Sequence, residues 1–132
     1  MTAMRTVGAA MLATICAAAV VAADDAGRLT FMQHCATCHG AAGLGDGPMA
    51  GSLVQAPSDL TQLAARNDGA FPMLKVLRVI DGRSEVAAHG GPMPVWGAVF
   101  SAQSADAGPR SADHAARGKI LSVAYFLESI QK

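Results

Sequence analysis

The sequence predicts an all-α fold, on three observations. Apolar residues recur at helical spacing in two segments: Met73, Val76, Leu77 and Ile80, then Ile120, Val123, Ala124 and Leu127. The stretches outside them are punctuated by glycine and proline, as in Gly43-Leu44-Gly45-Asp46-Gly47-Pro48, where the turn formers exclude regular structure. Beyond residue 23 nothing alternates apolar and polar residues as a half-buried strand does, and there is no internal repeat or low-complexity tract.

In chain order, residues 1–23 carry Arg5, an alanine-rich apolar run and small residues at Val21-Ala22-Ala23, the pattern of a secretory signal peptide. The run is short for a membrane span. Cys16 falls inside it, and the bulky Ile15 before it argues against a lipid-attachment site. Residues 24–132 then suffice for one compact domain and not for two. Ten basic and ten acidic side chains are present in the full sequence, and loss of Arg5 leaves the exported chain acidic by one charge. That balance excludes a nucleic-acid binder. The only lysines, Lys75, Lys119 and Lys132, are scattered, so a partner surface is mildly charged or apolar.

A first helix is expected from Ala26 to Thr37, with Asp24 and Asp25 complementing its positive end, and Gly40 ends it. The glycine-rich loop at 43–48 follows, expected to lie along a bound group or to be a plain connection. Ser58 reads as the cap of a short helix through Arg66, closed by the turn Asn67-Asp68-Gly69. Pro72 opens an amphipathic helix that stops at Asp81-Gly82. Two prolines flank Met93 and make 89–97 a loop, and 101–110 reads as a polar connection. A long last helix begins near Ser111, its apolar stripe widened by Tyr125, Phe126 and Ile130.

The chemistry is concentrated at Cys35-Ala36-Thr37-Cys38-His39. Two thiols three residues apart with a histidine directly after them is the spacing for covalent haem c attachment. On a helix the two cysteines share a face, so both sulfurs can meet the vinyl groups, and the histidine is set to ligate the iron. Rival uses of the same residues are a redox dithiol, which expects a βαβ setting, a structural disulfide, and a zinc site, which expects a second close ligand pair. His34, His89 and His114 are scattered and supply no such pair.

A second ligand decides between a carrier and an open-site enzyme, since a thioether closes the iron and raises its reduction potential. Met32 and Met49 lie too near the attachment motif, and Met73 belongs to a buried stripe. Met93 remains, its backbone restrained by Pro92 and Pro94. His89 is a rival ligand that would lower the potential. Trp96, the single tryptophan, is expected either to give its indole N–H to a haem propionate or to pack on the macrocycle. Arg66 is a candidate propionate partner or a solvated charge.

CATCHG at 35–40, GLGDGP at 43–48, PSDLTQLAARN at 57–67 and GPMPVWG at 91–97 together resemble the small class I c-type cytochromes, across essentially all of residues 24–132. The resemblance implies a helical shell around one covalently bound haem. It implies that the first and last helices cross, with Gly27 or Phe31 against Tyr125. It carries over Cys35 and Cys38 as thioether donors, His39 and Met93 as axial ligands, and Pro48 as the residue whose carbonyl receives the other ring N–H of His39. Because this haem is attached outside the cytoplasm in bacteria, it also implies a periplasmic protein.

The expected function is therefore one-electron transfer between extracytoplasmic redox proteins, with no substrate turned over. The partners would be a dehydrogenase, reductase or oxidase, and the protein a monomer without stable membrane insertion. The alternatives are an open-site haem enzyme or small-ligand sensor, and a dedicated electron-transfer subunit of a dehydrogenase complex.

Overall fold

The structure is a computed structural model that describes residues 25–83 and 93–132. The expected signal peptide at 1–23 and His89 lie outside the described residues. Helix α1 covers 25–34 and continues, after one turn residue at Cys35, into α2, Ala36–His39. Helix α3 spans Met73–Asp81, α4 Trp96–Ala102 and α5 Pro109–Ser129, with short 3-10 turns between them. No strand occurs among the described residues.

The α1–α2 break barely interrupts the hydrogen bonding: Cys35 N–H donates to Phe31 O at 2.8 Å and His39 N–H to Cys35 O at 2.9 Å. The expected helix to Thr37 thus runs two residues further. The carbonyls at its end would be orphaned, and the 43–49 loop supplies their donors. Gly45 N–H meets His39 O at 2.8 Å, Gly47 N–H meets Cys38 O at 3.1 Å, and Met49 N–H meets Thr37 O at 3.0 Å. The glycine-rich loop is therefore neither a plain connection nor regular structure; it is the cap of α2.

Helix α5 is the backbone of the core. Ala116, Ile120, Val123, Ala124, Phe126 and Leu127 are all buried on it, and Phe31 of α1 is fully buried. The α1–α5 crossing is close because Gly27 has no side chain: a Cβ there would overlap the Ser122 carbonyl. Phe31 packs on Phe126 with ring centroids 5.1 Å apart. The crossing expected from the resemblance is present, but its α5 partners are Ser122 and Phe126. Tyr125 lies one position off the contact face and is half exposed.

Helix α3 falls within one residue of its expected bounds. Val76 and Ile80 are buried, and Gly82 closes it in the left-handed conformation with its N–H on Arg78 O. Three local expectations are corrected. Ser58 does not cap a helix through Arg66; Asp59 caps a 3-10 turn, Leu60–Gln62, by accepting from Thr61 N–H at 2.9 Å. The segment read as loop and polar connection holds α4, whose Phe100 is 1% exposed. Helix α5 begins at Pro109, two residues early, because proline suits a first helical turn. Tertiary contact, not local composition, makes α4: it lies along α5 and leaves only its outer face to water.

Candidate functional site

The attachment motif turns inward at the end of the α1–α2 pair. Cys35 and His39 sit one helical turn apart, and both line a cavity of about 380 Å³ in the middle of the fold. Its walls are mainly apolar: Phe31 from α1, Leu60 and Leu63 from the 58–67 stretch, Val76 and Ile80 from α3, and Val123 and Leu127 from α5. Met93, just before α4, also lines it and packs against the buried core. A cavity this size with one thiol, one imidazole and one thioether among aliphatic groups is the setting of a bound organic cofactor, not of a polar substrate.

Burial pushes the Cys35 thiol up to about 11, with the nearby Cys38 adding to the effect. A redox dithiol needs the opposite, a thiol lowered toward neutrality so that thiolate is available for exchange. The βαβ setting of that rival is also missing, since the described residues contain no strand. Among the described residues no three His, Cys, Asp or Glu side chains cluster as a metal cage would require.

The imidazole of His39 has a defined orientation. Its Nδ1 lies 3.0 Å from the Ser58 carbonyl oxygen. A carbonyl only accepts, so Nδ1 is the donor of this bond, and Nε2 is the ring nitrogen left for a ligand role. The acceptor is thus Ser58, and the expectation that Pro48 fills this role is corrected. Pro48 lies in the loop held against the carbonyls of α2 by Gly47 and Met49, on the motif's own end of the molecule. The chain needs the further run to 58 before it returns to the ring.

Trp96 does not line the cavity; it packs in α4 against Phe100, with ring centroids 5.5 Å apart, and against His34 at 5.3 Å. Arg66 does line the cavity, exposed, while its Nη1 donates to the Asp59 carbonyl at 3.1 Å. Cys38 is half-buried beside the cavity's motif wall without lining it.

Sequence reasoning missed Ser58 as the imidazole's partner, and Asn67 and Lys75 at the cavity rim. Ser58 contributes only a backbone oxygen, which any residue would offer, so no side-chain signal marks it. Lys75 was legible: it lies next to Val76 on the helix whose apolar stripe faces the cavity.

A family model described as Cytochrome c matches residues 25–107. A search of curated proteins found no match, and a search of solved structures found none.

Proposed function

The chain belongs to the cytochrome c family, which carries haem c on a CxxCH motif, and from that premise we propose that it is an exported one-electron carrier whose iron is held by His39 and Met93. The family's redox role implies redox proteins as partners. The haem, when bound, supplies a ferric/ferrous couple that moves one electron without bond making in a substrate.

The observation that carries this reading is that His39 and Met93 line one apolar cavity, with the imidazole already tied at Nδ1. Cys35 and Cys38 hold the macrocycle through their sulfurs. His39 offers Nε2 to the iron, while its Nδ1–H bond to Ser58 raises the ring's donor strength. Met93 offers a soft thioether, which favours the reduced state. The aliphatic walls exclude water, so the charge change at the iron meets little solvent reorganisation. Arg66, Asn67 and Lys75 stand at the polar rim, where anionic groups of the haem would be met.

Export to the periplasm is supported by the signal-like 1–23 segment and by the thioether chemistry itself. Among the described residues no helix is long and apolar enough to cross a membrane. The partners in this reading are a dehydrogenase, reductase or oxidase that meets the carrier transiently, as electron-transfer encounters do.

Optical spectra of the haem-loaded protein, oxidised and reduced, beside Met93→Ala test the ligation. Sharp low-spin bands and a weak far-red sulfur-to-iron band, lost in the variant, are expected. A high-spin wild type that binds carbon monoxide readily would overturn it in favour of an open-site enzyme or sensor. Gel filtration of the native extract tests the carrier role, because a dedicated complex subunit would not elute alone.

A further inference from the structure

The Ser58 carbonyl that meets His39 begins a stretch, 58–67, that contains only two 3-10 turns, Leu60–Gln62 and Ala65–Asn67. So short a pair of turns does not fix its own position. Internally it is braced by Asp59, which accepts from Thr61 N–H and Oγ1–H at 2.9 and 2.7 Å. Its place in the fold is set by bonds from elsewhere.

On one side Leu60 N–H donates to Gly43 O at 2.7 Å. Nearby, Gly45 passes so close to the backbone of Pro57 and Ser58 that a Cβ would collide with the Pro57 carbonyl. On the other side stand Gln131 and Lys132, beyond α5. Gln131 Oε1 accepts from Ala64 N–H at 2.9 Å; its Nε2 donates to Leu60 O at 2.9 Å and to Leu127 O at 2.5 Å. Lys132 N–H donates to Thr61 O at 3.0 Å.

A primary amide offers an acceptor and two donors in one plane, and Gln131 uses all three. The reversed amide would put a donor against the Ala64 N–H, so this orientation is fixed by its partners. Two of its bonds bracket the 3-10 turn that follows Ser58, and the third anchors the amide to α5. Leu127 lines the same cavity as His39. The amide therefore joins the loop that orients the imidazole to the helix that forms the opposite wall.

We propose that Gln131 is a positioning residue for His39: by fastening the 58–67 stretch to the end of α5 it holds the Ser58 carbonyl where the His39 Nδ1–H requires it. This rests on His39 being the iron ligand. Loosening the latch weakens the Nδ1–H bond, makes the imidazole a poorer donor, stabilises the ferric state less and raises the potential.

The test uses haem-loaded, full-length protein as wild type, Gln131→Ala, Gln131→Glu and the control Ile120→Val. Glutamate keeps the side-chain length and the acceptor for Ala64 but loses both donors. Ile120 is buried in α5 away from the cavity, and its shortening lowers stability alone. Three quantities are read: the midpoint potential, the solvent exchange rate of the His39 Nδ1–H by proton NMR in the ferrous state, and the thermal midpoint.

In Gln131→Ala the exchange accelerates at least about tenfold, and the ferric/ferrous ratio at fixed potential shifts about threefold, or ~28 mV upward at 59 mV per tenfold for one electron. Gln131→Glu, whose second oxygen would face the Leu60 and Leu127 carbonyls, moves both readouts the same way, and Ile120→Val moves neither. If both Gln131 variants lower the thermal midpoint as Ile120→Val does while exchange and potential stay those of wild type, the latch is merely structural and the proposal fails. Should the alanine variant not hold its fold, the glutamate variant decides on the same two outcomes. A ferric wild type without hyperfine-shifted His39 ring signals would instead overturn the ligand reading beneath it.

Discussion

The two walls of the cavity are held by different forces. The His39 wall is tied by directional hydrogen bonds to backbone: the ring to Ser58, the 43–49 loop to the last carbonyls of α2, and Gln131 to Leu60 and Ala64. Among the described residues, the Met93 wall is held by packing. Val95 sits against Gly82 at the end of α3, Gly97 sits against Asp81 and Arg83, and Met93 touches the buried core. Its polar links are surface ion pairs, Arg83 to Asp81 and Asp113 at 2.6 Å and Arg117 to Asp113 at 2.7 Å. An imidazole binds through one lone pair in the ring plane and needs its direction set; a thioether on a flexible chain needs only shape. In the proposed ligation, each wall carries the kind of support its ligand would require.

Breaking the directional wall should cost most. His39→Ala removes the proposed ligand and leaves the Ser58 carbonyl without its partner, so the loaded protein should lose its low-spin spectrum and at least about 4 kcal/mol of stability, the scale of lost metal ligation. Denaturant titration of the haem-loaded variant checks it, and an unchanged spectrum would reject the assignment. Breaking the packed wall should move the potential more than the fold. Met93→Ala should lower the midpoint by on the order of 0.1 V, within the ~0.8 V that axial ligation spans, while losing about 2–3 kcal/mol as a truncated, half-buried methionine does.

Acid sharpens the contrast. Asp59 is held below the usual carboxylate range by its hydrogen bonds from Thr61, Asp81 by those from Arg83, and Asp113 by those from Arg83 and Arg117. Each native value is depressed, so the stability these groups add is present above the unfolded value near pH 4 and is lost as pH falls through the native one. A thermal midpoint flat from pH 7 to about 5 and falling below about 4 is expected. Asp59→Asn should flatten the acid fall and accelerate exchange of the His39 Nδ1–H, since its target is the His39 wall. The smallest effect is expected for Arg83→Gln, which breaks exposed pairs: a slight drop in thermal midpoint that vanishes in high salt, with the potential unchanged.

The site was legible in uneven measure, for reasons that follow the same division. Cys35, Cys38 and His39 are one turn of chain, so their spacing alone brings them together. Met93 was reached through the prolines around it, a local restraint. The ring neighbours of Trp96 were not legible, because α4, which turns its ring onto His34 and Phe100, is made by tertiary contact. Ser58 and Gln131 act through a backbone carbonyl and a surface-type amide, and neither carries a pattern.

By itself the sequence determined the helical class, the stripes of α3 and α5 and the covalent attachment motif. These depend on periodicity or on neighbours within a single helical turn. Only the tertiary structure decided that α4 is a helix, that Ser58 and not Pro48 receives the His39 proton, and that Gln131 reaches back 67 residues to Ala64 and 71 to Leu60. Those bonds join groups that every residue or many residues possess, so their pairing is set by where the fold brings the chain rather than by which side chains it bears.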